Sequence, residues 1–334
     1  QQLINQVDTN RMRKDLEFIQ GIRHRTAGKA HLAVVQDSLA RTFRGLGLDT
    51  TIHRFVYSAY DAQNIIGATR TTEDEAELYI LCAHYDSVNN APGADDNGSG
   101  VVGMQEVARI LSPYSFKKKI KFIGFDLEEA GLIGSQRYLT QKALLPTEKL
   151  QGVLDYEMIG FYSESPNTQQ FPTGFNLLFP AAYNQVANDQ FKGNFITNVA
   201  NTFSDPLRVK FDQAASTYVK DMKVVSIAVP GNGAVAADLR RSDHAPFWDA
   251  GYAALMLTDG ANFRNLNYHT AKDSIHQLNF TFMGNVVKTT IAMLAEAAEI
   301  AHAGTAQTSL SRPWIPRASS TPSPTVALMI TRTP

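Results

Sequence analysis

His84 and Asp86 stand two residues apart in the string His84-Tyr85-Asp86-Ser87. A histidine there can offer one ring nitrogen to a metal, while the carboxylate takes the other ring N–H and fixes the tautomer. Asp95 and Asp96 follow in the Gly-rich string Gly93-Ala94-Asp95-Asp96-Asn97-Gly98-Ser99-Gly100. Capping the next helix accounts for one small polar residue here. It does not account for both acids, and Asp96 could bridge two cations. Asp126-Leu127-Glu128-Glu129-Ala130-Gly131 holds another adjacent pair. Successive side chains diverge, so one glutamate can bind metal while the other faces a bound water as general base. In Asp155-Tyr156-Glu157-Met158-Ile159-Gly160 the two acids share one face of an extended segment. A carboxylate in an apolar strand is costly unless it is paired or bound to a cation. His269, in Tyr268-His269-Thr270-Ala271-Lys272-Asp273, supplies a second imidazole. Ser242-Asp243-His244 reads as support for the site more readily than as direct ligation.

Each cluster alone has a plainer explanation: a structural histidine at a strand end, a helix cap, or acids favoured by a helix dipole. Together they supply imidazoles and carboxylates without cysteine, a donor set that suits zinc, with manganese or cobalt as substitutes. A carboxylate shared between cations about 3.5–4 Å apart marks a two-metal hydrolytic site.

These groups need a scaffold that gathers them. Leu32, Val35, Leu39, Phe43 and Leu46 recur at steps of three and four, which predicts an amphipathic helix. Extended runs at 51–57 and 64–69 follow. Then apolar runs at 78–83, 120–125 and 152–158 alternate with helical patterns at 101–111 and 132–139. That alternation predicts an α/β fold with a mostly parallel, mixed central sheet and helices on both faces. Ligands bind such sheets at the carboxyl ends of the strands, where His84, Glu128, Glu129 and Glu157 fall. Residues 161–241 look less regular, with a helix near 181–188 and a strand at 223–229. They read as an elaboration that walls the site. A strand at 253–258 and a long amphipathic helix through Met283, Val286, Val287, Ile291, Leu294 and Ala298 complete a single domain of residues 1–303. The stretch 304–334 is rich in Ser, Thr and Pro and reads as a linker or added tail.

Composition sets further bounds. Lys plus Arg is 31 and Asp plus Glu is 32 across 334 residues. With no cationic excess to neutralise phosphates, a nucleic-acid partner or an anionic membrane surface is disfavoured. The single cysteine, Cys82, rules out an intrachain disulfide. No apolar run approaches the roughly 18 residues of a membrane span. The chain opens at Gln1 rather than Met, which is consistent with a removed leader and a secreted or periplasmic location.

The strings at 84–87, 93–100, 128–135, 157–160, 242–244 and 268–270 together resemble those of the zinc aminopeptidases with a co-catalytic metal pair. Relatives of that family include glutaminyl cyclases and the transferrin-receptor peptidase-like domain. The resemblance implies a zinc exopeptidase-like fold, two zinc ions per chain, and hydrolysis of the N-terminal bond of peptides or proteins. It implies that His84 and Glu129 hold one zinc, that Glu157 and His269 complete the other, and that Asp96 bridges both. Glu128 would be the general base acting on the bridging water, and Asp86 would orient His84. The family more often has Asp at the position of Glu157, so Asp155 is an alternative ligand. Many members have a tyrosine shortly before Ser-Asp-His that stabilises the oxyanion; Arg240 and Arg241 stand there instead. Two other readings share these motifs: a single-zinc glutaminyl cyclase, and a binding module that has lost its chemistry. The short Ala130–Ile133 spacer before Gly134-Ser135 favours the peptidase, and the full set of candidate ligands disfavours the inactive module.

Overall fold

The polar N-terminal stretch folds into helix α1 (Thr9–Ile19), capped by Asp8, whose carboxylate accepts the N–H groups of Asn10 and Arg11. The structure is a computed structural model that describes residues 1–72 and 77–303; the stretch 304–334 lies outside the described residues. Helix α2 (Lys29–Gly45) buries Leu32, Val35, Leu39 and Phe43, the stripe its spacing predicts. The hairpin β1 (Asp49–Tyr57) and β2 (Tyr60–Ala68) follows. Strand β3 (Arg70–Thr71) joins β5 (Tyr114–Phe116) and β11 (Ile300–Ala303) in a small separate sheet.

The main sheet takes its centre from short apolar strands: β4 (Glu77–His84), β6 (Lys119–Phe125), β7 (Lys149–Tyr156) and β10 (Ala254–Thr258). β8 (Ile196–Asn201) and β9 (Val224–Val229) complete it. The sheet is 8-stranded, in the order β1-β2-β6-β4-β7-β10-β8-β9. Neighbours β6, β4, β7 and β10 run parallel, while β1, β2 and β8 enter antiparallel. Alternate residues feed opposite cores, as strand pleating requires. Leu81, Phe122 and Leu154 join one core; Ile80, Ile123 and Val153 join the other. The first core is covered by α1, α2, α3 (Gly100–Leu111) and the long C-terminal helix, and the second by α4 (Ile133–Thr140) and the short helices downstream. No described helix is long and apolar enough to cross a membrane.

Residues 161–241 are more regular than their sequence pattern suggests. After α5 (Phe175–Leu178) and α6 (Pro180–Asn188), they supply β8, α7 (Asp205–Tyr218) and β9, which extend the main sheet. Polar residues inside β8 hide the strand. The amide nitrogen of buried Asn198 donates to the Arg208 carbonyl and to Asp212 Oδ1. Asn201 caps the turn that leads into α7. Helix α8 (His244–Asp249) and helix α9 (Phe280–Ala297) finish the fold, and α9 buries Met283, Val286, Val287, Ile291 and Leu294.

Candidate metal centre

The parallel strands deliver their carboxyl ends to one edge, and the polar clusters sit there. His84 is the last residue of β4, and Glu157 directly follows β7. The two strands are sheet neighbours, with Cys82 opposite Asp155. Two residues further on, that register sets His84 beside Glu157. Glu128 and Glu129 occupy the turn after β6. Leu127 there takes a positive φ of 59°, which swings the two acids back over the edge. Asp86 fixes the turn: its Oδ1 accepts the Glu128 N–H at 3.1 Å and its Oδ2 the Glu129 N–H at 3.2 Å. Asp86 also lies 3.4 Å from His84 Nδ1.

Asp96 reaches the centre from the loop before α3. Gly93 opens that loop at φ 58°, and a Cβ there would lie 2.3 Å from the Asp96 carbonyl oxygen, so only glycine fits. Asp273 accepts the backbone N–H groups of Asp95 and Asp96 at 2.9 and 3.0 Å. Asn97 is buried, donates to the Tyr156 carbonyl and accepts from Met158 N–H, pinning the loop to the end of β7. Arg23, fully buried, donates to the carbonyls of Tyr85, Pro92 and Gly93 and ties the β4 end to the same loop. Burial lowers its pKa to about 10.

Two donor groups result. His84, Asp96 and Glu157 form one, and Asp96, Glu129 and His269 form the other, with the ligating atoms of each group within 4.8 Å of one another. Asp96 belongs to both. Its Oδ1 lies 3.3 Å from His84 Nε2 and its Oδ2 3.0 Å from His269 Nε2. Glu157 Oε2 is 3.4 Å from His84 Nε2, and Glu129 Oε2 is 3.2 Å from His269 Nε2. The carboxylates are therefore shared out differently from what the resemblance implies: Glu157 goes with His84, because β4 and β7 are neighbours, and Glu129 goes with His269. Glu128 belongs to neither group; its Oε2 stands 3.8 Å from His84 Nε2. The atoms His84 Nε2, His269 Nε2 and Glu129 Oε1 are buried without a hydrogen-bond partner. Unpartnered imidazole nitrogens and a carboxylate oxygen converging on shared points fit divalent cations with mixed N and O ligands.

The electrostatics agree with that donor set. Burial alone would raise the Asp96 carboxyl, but the His269 and His84 imidazoles beside it outweigh that and hold the group well below the usual carboxylate range. Burial would depress both imidazoles. Glu128 and Glu157 reverse this for His84 and carry it well above its ordinary value, while Asp96 and Glu129 lift His269 to about 10. Burial, with repulsion from Asp96, raises Glu129 to about 7. Burial and repulsion from Glu157 and Glu129 push Glu128 well up.

Asp155 is not among the converging groups. It lies level with Cys82, one residue short of the end of β7, and its Oδ2 accepts the His244 N–H at 2.9 Å. Asp243 is buried and accepts from Ser135 Oγ at 2.6 Å. Ser242, the first residue of that string, donates to Glu157 Oε2 at 2.6 Å. The sequence reading assigns no specific contact to Ser242, Asp273 or Arg23. An apolar pocket opens beside Glu157, with Phe171, Phe175, Val199, Met256 and Phe263 in its lining and Arg241 and Tyr268 alongside. The Tyr268 ring stacks on His269 with centroids 3.8 Å apart. Its hydroxyl accepts from Arg241 Nη2 at 3.0 Å, and no acceptor for its own proton occurs among the described residues. Burial, Asp96 and Glu157 push the phenol pKa up, so the group remains a protonated donor.

Known proteins are similar to this chain in sequence and in fold. YfbL of Escherichia coli K12, described as uncharacterized, is 30% identical over 230 residues, 66% of this chain and 67% of that protein. Aminopeptidase YwaD of Bacillus subtilis is 27% identical over 241 residues, 69% of this chain and 44% of that protein. Apart from YfbL, the chain spans about half the length of the first curated relatives it matches. Among solved structures, LapA aminopeptidase of Legionella pneumophila superposes with a TM-score of 0.66 at 21% identity, over 89% of this chain and 73% of that one. BSAP, a zinc aminopeptidase from Bacillus subtilis, superposes with a TM-score of 0.53 at 25% identity, over 72% of this chain and 51% of that one. The profile described as peptidase family M28 matches residues 64–294, which take in all the converging side chains and most of the main sheet. The chain belongs to peptidase family M28.

Proposed function

We propose that this protein is an aminopeptidase that works with two zinc ions and removes apolar residues from peptide N-termini. The observation that carries the reading is Asp96, which turns one carboxylate oxygen to each of two histidines, each of which has its own further carboxylate. His84, Asp96 and Glu157 would hold one zinc, and Asp96, Glu129 and His269 the other. A zinc pair would supply Lewis acidity there, bringing the pKa of a water toward about 7 and polarising a carbonyl oxygen.

The chain's own residues do the rest. Glu128, outside both ligand groups, takes a proton from the attacking water at its carboxylate and returns it to the leaving amine. Its raised pKa suits a group that must hold the proton between those two steps. Tyr268 donates its free O–H to the carbonyl oxygen as negative charge develops there. Glu157 belongs both to the metal centre and to the pocket lining, which sets the first side chain of a substrate beside the reacting bond. The aromatic and aliphatic lining favours Phe, Leu and Met in that position.

The test is a panel of aminoacyl p-nitroanilides, with N-terminal glutaminyl peptides alongside, assayed with zinc and after chelation. Zinc-dependent release from Leu and Phe substrates is expected. Cyclisation of the glutaminyl peptides without anilide release would replace this reading with that of a cyclase.

A further inference from the structure

We infer that Arg241 is the positioning residue for the oxyanion contact: its guanidinium holds the Tyr268 phenol so that the phenol's own proton is left for the substrate carbonyl oxygen. The inference rests on the aminopeptidase reading above and extends it to a side chain outside the metal centre.

Arg240 and Arg241 part company in the fold. Arg240 turns away, bonding the Asn232 carbonyl and Asp249 Oδ2. Arg241 faces the pocket, where three partners anchor it. Nη2 donates to Tyr268 Oη at 3.0 Å, Nη1 donates to Asn262 Oδ1 at 3.0 Å, and Asp238 Oδ1 lies 3.5 Å from Nη1. The guanidinium also sits 5.6 Å from the Tyr268 ring centroid, and that ring stacks on His269 at an interplanar angle of 15°. Tyr268 is therefore held by both its ring and its oxygen.

A phenol has one proton to give and lone pairs to receive. Here the guanidinium occupies a lone pair, and the proton has no acceptor among the described residues. A charge-assisted bond to the oxygen polarises the O–H and makes it a stronger donor. It also removes the alternative in which the hydroxyl rotates to use its proton elsewhere. Only a planar fork reaches Tyr268 and Asn262 from one side chain, so lysine is a poor substitute. The contact breaks no bond; Tyr268 keeps its proton throughout.

The experiment compares Arg241→Met, Arg241→Lys, Tyr268→Phe and the double variant Tyr268→Phe/Arg241→Met, each checked for wild-type zinc content. It measures kcat and KM on Leu p-nitroanilide. It also measures calorimetric affinity for leucine phosphonic acid, a tetrahedral anion, and for leucinamide, a ground-state mimic. Tyr268→Phe should lower kcat on the order of a hundredfold, as loss of an oxyanion donor does. Arg241→Met should lower kcat about tenfold with KM little changed, the sign of an interaction made only in the transition state. Arg241→Lys should recover part of that loss. Phosphonate affinity should fall in step with kcat while leucinamide binding stays level. In the Tyr268→Phe background, Arg241→Met should change kcat by less than about twofold, because its effect passes through the phenol. An undiminished loss in that background, a loss confined to KM, or no loss for Arg241→Met while Tyr268→Phe is impaired would overturn the inference alone. Full activity in Tyr268→Phe would remove the phenol contact and the role of Arg241 with it. A wild-type chain that cleaves no aminoacyl substrate would remove the aminopeptidase reading itself.

Discussion

Replacing Glu128 by glutamine should separate catalysis from stability, with opposite signs. The amide is nearly isosteric, and the Glu128 backbone stays tied to Asp86. Glu128 lies outside both ligand groups, so zinc content should not change. The carboxylate is what moves the proton, and a positioned general acid–base contributes about 10²–10⁴ in rate. At 1.36 kcal/mol per tenfold this is about 3–5 kcal/mol of barrier. Stability should move the other way. Burial, with repulsion from Glu157 and Glu129, raises the Glu128 pKa, so at neutral pH the folded chain bears a cost for its ionised form. Glutamine removes that cost, and metal-free Glu128→Gln should melt above metal-free wild type. The assay pairs kcat/KM on an aminoacyl anilide with zinc per chain by elemental analysis and thermal melting of the stripped proteins. Turnover above a tenth of wild type would refute the proton-transfer role. Loss of zinc would refute the placement of Glu128 outside the ligand set.

Other outcomes follow from the same geometry. Asp96→Asn turns an N–H2 toward one of the two histidines, so it should retain at most one zinc per chain and lose turnover at least as severely as Glu128→Gln; elemental analysis and rate assays check both. The metal-free protein should lose stability as pH rises from about 4 to 7. Glu129 and Asp273 are raised mainly by burial to about 7 from 4.5 and 3.8, and Asp259 to about 6. Groups raised on folding stabilise below their unfolded values and lose that contribution as pH passes through the folded ones. His269, raised to about 10 from 6.5, acts with the same sign at higher pH; melting temperature against pH, with and without zinc, is the measurement. Because that imidazole carries its proton at pH 7 in the metal-free chain, zinc binding should release protons, seen as a buffer-dependent calorimetric enthalpy. Asp155→Asn should keep its zinc but lose about 1–3 kcal/mol of stability, since Asp155 accepts the His244 N–H and lies outside both donor groups.

Much of the site was legible because its chemistry is local in sequence. His84-x-Asp86, the Asp95-Asp96 pair and Glu128-Glu129 each carry their message in a few residues, and the strand–helix alternation says which edge they share. The grouping of the candidate donors was not legible, because it depends on strand order. Only the pairing of β4 with β7, Cys82 opposite Asp155, brings Glu157 rather than Glu129 to His84. The same register leaves Asp155 a step below the edge. Ser242, Asp273 and Arg23 escaped because each acts on residues far away in the chain, through hydrogen bonds that no local pattern encodes. Strand β8 and helix α7 escaped because buried Asn198 and Asn201 look like loop residues until their partners are known. Arg241 could be seen as a departure from a familiar pattern, but its partner Tyr268 lies 27 positions on.

Anomalous diffraction at the zinc edge, on crystals grown with zinc, tests the central claim most directly. Two peaks are expected about 3.5–4 Å apart, one ligated by His84 and Glu157, the other by Glu129 and His269, with an oxygen of Asp96 on each. A single peak, or a pair that leaves Asp96 unligated, would contradict the account.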